Sequence, residues 1–357
     1  MAFLRGRAAL AVTSALLLTL LLAALELAAR LVAPDYVGNA RGPHVFSATY
    51  GWASRRQSSL MLAGERVTLN EEGYRGRVLE LPRTSRLRVV VLGDSIAFGL
   101  GVSDDDTFSS RLDAREDGIE VGNFAVQGYG PDQELLVLER EALRLQPDVV
   151  VLAFCMANDL AESLMPVSLY DGTTPKPRFR LVSGDLVLDA SSLSHGLAWH
   201  AQRALADHSH LFNRLTGVVP KPRPPGGLHW RERFAEALEQ EEQVIAVNRA
   251  LVRRMSAMCL ERGIAFLVVA FPDRFTFRRK TPLLQRFFDE LEEDGIRVLD
   301  MAERFRGLGL RLTDVAIDGA GHLSPRGHSI VSEELASEVR VLVASVPASP
   351  RPPARRQ

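Results

Sequence analysis

Short apolar runs alternate with helix-like segments along most of this sequence, and no other feature constrains the fold as much. Residues 88–92 and 148–154 are rich in valine, which is typical of strands buried on both faces of a sheet. Residues 119–124, 264–271 and 296–299 are further candidate strands. Strands that alternate with helices form a parallel sheet covered on both faces. We therefore predict an α/β fold with a five-stranded parallel sheet.

Helices are predicted between these strands. Residues 131–146 begin with a proline, which is favoured in the first turn of a helix, and residues 282–294 form another candidate. Ser324 and Pro325 provide an N-cap and a first-turn proline for a last helix that ends near Val346.

The alternation also suggests how the chain is organised. We predict an N-terminal segment at residues 1–33, an ordered lead-in at 34–85, a main domain at 86–345 and a disordered tail at 346–357. Residues 160–230 interrupt the main domain as an insertion that opens with a hairpin turning near Ser183 and Asp185. Long insertions in compact domains are often functional, so this one is a candidate cap or wall of a binding site.

The N-terminus contains 18 consecutive uncharged residues, 8–25, preceded by Arg5 and Arg7. This length is about the minimum that spans a bilayer, and the arginines favour a cytoplasmic N-terminus with the remainder translocated. A cleaved signal peptide, and hence secretion, is the alternative. We favour an uncleaved anchor because the apolar run is long and no clear cleavage site follows it.

Composition excludes several classes of function. The 43 basic and 44 acidic side chains give a net charge of −1, so nothing indicates a nucleic-acid partner. Cys155 and Cys259 have no neighbour at metal-ligand spacing and are expected to be buried free thiols. The histidines of the insertion also match no metal pattern: His195, His200, His208 and His210. We predict no metal and no cofactor.

The first candidate site residue is Ser95, in Gly93-Asp94-Ser95 directly after the first buried strand. Open α/β sheets place ligands at this edge, and a tight strand-to-helix turn projects a serine hydroxyl there. Neither of the common glycine-rich phosphate-binding patterns is present. Ser95 is therefore a candidate nucleophile.

Serine is a weak nucleophile unless a base held by a carboxylate activates it. Asp318 and His322 lie in a glycine-rich loop after the last strand, so we expect them at the same sheet edge as Ser95. Acyl transfer also requires hydrogen-bond donors for an oxyanion. Gly128 and Asn158 follow the second and third strands and are the candidate donors, the first through its backbone N–H and the second through its side-chain amide.

These motifs together resemble the SGNH/GDSL hydrolase family. The matching segments are GDSIAFG with Ser95, NFAVQG with Gly128, AND with Asn158, and the 318–322 loop. The chain also resembles a bacterial subgroup that has an N-terminal membrane segment and a motif seen here as NEEGYRG from Asn70. The resemblance runs from about Asn70 to the last helix, interrupted by the insertion.

The resemblance implies a three-layer α/β/α fold with flavodoxin-like strand order, so the main domain would be an SGNH hydrolase domain. It also implies a role for each site residue. Ser95 would be the nucleophile and first oxyanion donor, and Gly128 and Asn158 the other donors. His322 would be the base and Asp318 its partner.

Two departures from the family pattern affect these roles. Ala157 stands where a glycine usually precedes the asparagine, and three residues separate Asp318 from His322 instead of two. Asp314 is therefore an alternative partner for the base. His328 is a rival base, but its spacing places it inside the last helix.

The predicted function is a serine esterase that removes acetyl or other short O-acyl groups outside the cytoplasm, in the periplasm or an equivalent compartment. Its partners would be an acylated small molecule or polysaccharide and, through the N-terminal helix, the membrane. The first alternative is an O-acyltransferase of an envelope polysaccharide, supplied by a membrane acyl-donor partner. The second is a non-catalytic carbohydrate-binding module.

Overall fold

The structure is a computed structural model. It describes residues 2–32, 43–84, 86–115, 118–169, 174–217, 235 and 238–345. The predicted tail, the boundary between the N-terminal segment and the lead-in, and the later part of the predicted insertion lie outside these residues.

Strands and helices follow one another in the order that the sequence pattern predicts, with an additional set of short strands in the lead-in. The strands are β1 (His44–Ser47), β2 (Gly51–Ser54), β3 (Ser58–Leu62), β4 (Glu65–Leu69), β5 (Leu87–Gly93), β6 (Ile119–Asn123), β7 (Val149–Cys155), β8 (Arg178–Val182), β9 (Asp185–Asp189), β10 (Ala265–Phe271) and β11 (Arg297–Asp300). The helices are α1 (Ala2–Val32), α2 (Ser95–Phe98), α3 (Phe108–Asp113), α4 (Pro131–Arg140), α5 (Asp159–Glu162), α6 (Leu197–His208), α7 (His210–Gly217), α8 (Glu241–Leu260), α9 (Pro282–Glu293), α10 (Met301–Gly307), α11 (Leu312–Val315) and α12 (Pro325–Ser345).

The chain divides into two compact units. The first comprises Met1–Phe46 and His195–Arg223, and the second comprises Ser47–Ser194 and Pro224–Gln357. The predicted insertion is thus shared between them, because its hairpin of β8 and β9 belongs to the second unit and its helices α6 and α7 to the first.

The second unit is built on a parallel five-stranded sheet in the order β11-β10-β7-β5-β6. The prediction of a flavodoxin-like three-layer α/β/α fold is confirmed. One face of the sheet packs against the apolar sides of α4, α8 and α9, and the other packs against α2, α3, α10 and α12. Because all five strands are parallel, their carboxyl ends lie along one edge.

One predicted helix ends early. The helix expected over residues 131–146 stops at Arg140, and a short 3-10 turn, Ala142–Leu145, follows it. Glu141 lies between them with a non-helical φ of −125°. Its carboxylate accepts hydrogen bonds from the hydroxyls of Tyr50 (2.5 Å) and Tyr74 (2.8 Å). These contacts come from the lead-in, so the local sequence does not reveal them.

In the first unit, α1 includes a stretch, Ala9–Val32, that is long and apolar enough to cross a membrane. Glu26 carries a carboxylate near its end. One oxygen accepts hydrogen bonds from Arg30 Nε (2.8 Å) and the His210 N–H (3.0 Å), and the other accepts them from the Ser209 hydroxyl (2.7 Å) and the Leu211 N–H (2.9 Å). Glu26 thereby satisfies otherwise free N–H groups at the start of α7.

Candidate active site

Ser95 is the first residue of α2 and lies directly beyond the carboxyl end of β5. Asp94 caps this helix, since its Oδ1 accepts the Ile96 N–H at 2.8 Å. A side chain at Gly93 would place its Cβ 2.8 Å from Ala97 Cβ and 2.9 Å from Ala153 Cβ. Glycine is therefore required for α2 to pack this closely on the sheet, which fixes the position of the serine hydroxyl.

The 318–322 loop brings a histidine and a carboxylate to this serine. Ser95 Oγ lies 2.9 Å from His322 Nε2, and His322 Nδ1 lies 2.6 Å from Asp318 Oδ2. The three side chains form one continuous hydrogen-bonded chain. This arrangement allows the imidazole to take the serine proton while the carboxylate holds its other nitrogen protonated.

The extra residue between Asp318 and His322 is accommodated by the loop backbone. Asp318 Oδ1 accepts the N–H groups of Ala320 (3.0 Å), Gly321 (3.1 Å) and His322 (3.2 Å), so the loop wraps around the carboxylate. Partial burial raises the pKa of Asp318, but the hydrogen bonds and charge of His322 and the backbone N–H groups outweigh it. The pKa of Asp318 therefore lies below its usual range.

The two alternative residues are engaged elsewhere. Asp314 Oδ2 accepts the N–H of Arg311 at 2.8 Å, and the two side chains form an ion pair at 3.3 Å. His328 is fully buried inside α12, where its Nδ1 accepts the Phe108 N–H at 3.1 Å. Burial lowers the pKa of His328 to about 3, so this ring is neutral. Neither residue contacts Ser95 through a hydrogen bond.

Three N–H donors that have no partner among the described residues follow the ends of neighbouring strands. Asn158 is 6% exposed, and its Nδ2 has no hydrogen-bond partner among the described residues. A buried amide left without a partner is costly, so this donor is positioned for a group that the described residues do not supply. The backbone N–H groups of Ser95 and Gly128 also donate to no other described residue. Gly128 has a φ of 76°, which favours glycine.

Arg75, within the NEEGYRG motif, supports the site through contacts with the segment after α2 that the sequence pattern does not reveal. Its guanidinium is buried and donates to the carbonyls of Phe98 (3.0 Å), Gly99 (2.5 Å) and Val102 (2.7 Å), and its Nε pairs with Asp104 at 2.7 Å. It thus holds the segment that follows the Ser95 helix. In the sequence, the one signal that points to this arginine is its place in the motif of the bacterial subgroup.

Buried carboxyl groups lie behind the strand ends. Lys176 and Asp132 form a fully buried ion pair at 2.7 Å. Glu134, whose carboxyl oxygens accept no hydrogen bond from described residues, has a pKa raised well above its usual range by burial and by the charges of Asp94 and Asp132. Burial also raises the pKa of Glu162, the last residue of α5, to about 8.

We expect Glu162→Gln to remove part of the loss of stability at alkaline pH. The folded protein binds the Glu162 proton more tightly than the unfolded chain does, because the pKa rises from 4.5 to about 8 on folding. The protonated side chain therefore adds to the free energy of unfolding below pH 4.5, and this contribution is lost as pH rises towards 8. The variant should therefore gain stability relative to wild type at pH 8 compared with pH 5, by up to about 4 kcal/mol. Denaturant unfolding at both pH values measures this, with exposed Glu303→Gln as control. An identical pH dependence in Glu162→Gln and wild type would contradict the prediction.

The sequence from residue 91 to residue 330, about two thirds of the chain, matches the model of the GDSL-like Lipase/Acylhydrolase family. The chain belongs to this family. This GDSL-like acylhydrolase is accordingly an SGNH-type serine ester hydrolase with an α/β fold.

Several solved structures are similar to this acylhydrolase. A GDSL-like lipase from Bacteroides thetaiotaomicron is 12% identical, with a TM-score of 0.37 and coverage of 74% of this chain and 92% of the other. A psychrotrophic esterase from Pseudoalteromonas sp. is 11% identical, with a TM-score of 0.38 and coverage of 72% and 100%. A variant of an acetyl-xylooligosaccharide esterase from Geobacillus stearmophilus is 14% identical, with a TM-score of 0.40 and coverage of 71% and 93%. No curated protein matches the chain by sequence.

Proposed function

We propose that this acylhydrolase removes acetyl or other short O-acyl groups by a two-step mechanism in which Ser95 is the nucleophile. The observation that carries the proposal is the 2.9 Å distance between Ser95 Oγ and His322 Nε2. A nucleophile within hydrogen-bond reach of a base that a third group orients is the arrangement that acyl transfer requires. The same distance argues against a non-catalytic carbohydrate-binding module.

In the first step, Ser95 Oγ bonds to the ester carbonyl carbon as its proton passes to His322 Nε2. The tetrahedral oxyanion then collapses, the bond to the alcohol oxygen breaks, and His322 returns the proton to the departing alcohol. Asp318 stabilises the imidazolium that forms between these events and fixes the ring orientation.

In the second step, a water molecule attacks the acyl group on Ser95. His322 takes a proton from the water, a second tetrahedral oxyanion forms, and the bond to Ser95 Oγ breaks as this oxygen regains the proton. The products are a carboxylic acid and the free enzyme. No redox or cofactor step is needed for this balance.

The oxyanion of both steps is held by the N–H groups of Ser95 and Gly128 and by the Asn158 amide. Their support is the unpartnered, buried Asn158 Nδ2 and the absence of another acceptor for the two backbone groups among the described residues. Donors fixed in this way stabilise charge that develops only in the transition state.

Asn158→Ala is expected to lower kcat by about 10²–10³-fold with a much smaller change in KM, because the lost hydrogen bond forms with the oxyanion and not with the ester. Steady-state kinetics on p-nitrophenyl acetate measures both parameters. Asn213→Ala, which removes an asparagine of the first unit, is the control and should retain activity. A variant of Asn158 with unchanged kcat would exclude the amide from the oxyanion hole.

The proposed place of action is supported by α1. A helix whose stretch Ala9–Val32 is apolar enough to span a bilayer, preceded by Arg5 and Arg7, supports an anchor with the enzyme domain outside the cytoplasm. Cleavage of this segment would instead release a secreted enzyme.

The experiment that tests the proposal is hydrolysis of p-nitrophenyl esters, from acetate to octanoate, by the full chain in detergent. A serine-directed fluorophosphonate probe followed by peptide mapping identifies the reacting residue. Turnover highest on the short esters and labelling at Ser95 are expected. Turnover without labelling at Ser95 would reject the assigned nucleophile, and no turnover of any ester would reject the free-standing esterase.

A further inference from the structure

The turn that follows β10 is packed against the loop that carries Asp318 and His322. The Arg274 N–H donates to the Gly319 carbonyl at 3.0 Å. A Cβ at Gly321 would lie 2.2 Å from the Pro272 carbonyl oxygen, so the two backbones are in close contact there. The backbone of this turn therefore lies directly against the loop that carries the proposed catalytic base.

This turn is rigid. Asp273 Oδ1 accepts the N–H groups of Phe275 (3.0 Å) and Thr276 (2.9 Å) and the Thr276 hydroxyl (2.7 Å). Phe275 is nevertheless 70% exposed. A single exposed aromatic ring is common on a mobile loop, but here hydrogen bonds hold the backbone that carries the ring, in a turn that contacts the 318–322 loop.

Arg274 completes an exposed pair with this ring. Its Cζ lies 4.5 Å from the centroid of Phe275, and its Cδ lies 3.0 Å from the position that a Cβ on Gly319 would occupy. The side chain is exposed and forms no ion pair with any carboxylate in the described part of the chain. The aliphatic part of the Arg274 side chain is thus positioned by Gly319 and Phe275, while its charged guanidinium stays available to a ligand.

A third exposed side chain, that of Ile317, directly precedes the 318–322 loop. Ile317 is 48% exposed, its N–H donates to the His322 carbonyl at 2.8 Å, and its Cδ1 lies 2.2 Å from where a Cβ on Gly101 would be. Ile317 therefore bridges the loop of the base and the segment that follows the Ser95 helix.

We infer that Arg274 and Phe275, together with Ile317, form a subsite that binds an acylated glycan bearing carboxylates, such as a chain of uronic acids. The inference rests on the proposed esterase function and names its substrate class. The face of an aromatic ring is electron-rich and receives the C–H groups of a sugar ring. The planar guanidinium matches a carboxylate through two parallel hydrogen bonds, which a neutral glycan does not offer.

Binding can be measured without turnover in the Ser95→Ala background. Isothermal titration of the full chain in detergent with oligogalacturonate, and with an uncharged mannan oligosaccharide of equal length, compares the two ligands. The uronate is expected to bind more tightly, and Arg274→Gln should raise its Kd about tenfold or more while hardly affecting the neutral ligand. Phe275→Leu should weaken the binding of both ligands.

Arg279→Gln is the matched control. Arg279 is an exposed arginine of the same segment that also forms no ion pair with a described carboxylate, but it lines a surface with Pro282 and Gln285. Equal affinity for the charged and neutral ligands, or an equal loss in the Arg274 and Arg279 variants, would overturn the subsite.

Hydrolysis of two acetylated polymers tests the subsite separately from the proposed esterase activity. Wild type should show a higher kcat/KM on O-acetylated polygalacturonate than on acetylated mannan, and Arg274→Gln should reduce that ratio about tenfold. Hydrolysis of p-nitrophenyl acetate with no preference between the two polymers would overturn the subsite alone. Absence of all ester hydrolysis, with selective uronate binding retained, would instead overturn the esterase.

Discussion

Ser95→Ala is expected to reduce kcat for p-nitrophenyl acetate hydrolysis by about 10⁵–10⁶-fold, a larger effect than that of Asn158→Ala or Asp318→Asn. The reason is that no other described side chain forms a hydrogen bond with His322 Nε2, so none of them can replace Ser95 in the covalent step. The members of a catalytic triad act as a unit, so loss of the serine removes nearly all of their contribution. Activity left in the variant would come from the oxyanion donors and substrate binding.

The measurement requires long assays at high enzyme concentration and a control for folding. Ser109→Ala is a suitable control, because Ser109 is also a buried serine and its Oγ makes no hydrogen bond within the described residues. It should retain wild-type kcat. If Ser95→Ala stays within tenfold of wild type while Ser109→Ala is unaffected, Ser95 is not the nucleophile.

Much of the fold could be predicted because its signals are local. A strand buried on both faces, such as β7, is a continuous apolar run, and the α/β order then fixes a parallel sheet with one carboxyl edge. The early end of α4 could not be predicted, since Glu141 leaves the helix to accept two tyrosine hydroxyls from the lead-in. Tertiary hydrogen bonds of this kind override helix propensity without leaving a local pattern.

The candidate site also has parts that the sequence predicts and parts that it does not. The position of Ser95 follows from its place after β5, whereas the contact that orders its neighbourhood comes from Arg75, about twenty residues earlier in the chain. The helices α6 and α7 are another case. They belong to the unit that contains α1, where Glu26 accepts the N–H groups of His210 and Leu211, and a sequence that reads as an insertion does not show which unit it joins.

The spacing of residues in the sequence does not decide whether Asp318 or Asp314 is the partner of His322. Substituting each of them in turn gives the second large prediction. Asp318→Asn is expected to lower kcat by about 10⁴-fold with little change in KM. An asparagine amide donates a hydrogen bond where the carboxylate accepts one, so His322 would present its protonated nitrogen to Ser95 and could not act as base. Kinetics on p-nitrophenyl acetate, with circular dichroism to verify folding, measures the effect.

Asp314→Asn is the matched control, since it makes the same chemical change four residues earlier. Asp314 is bonded to Arg311 at the start of α11, so its loss should weaken only an exposed ion pair and leave kcat within a few-fold of wild type. The opposite result, with Asp314→Asn inactive and Asp318→Asn active, would show that the 2.6 Å contact between Asp318 and His322 does not govern the base. Equal, small effects of both changes would mean that His322 works without a carboxylate partner.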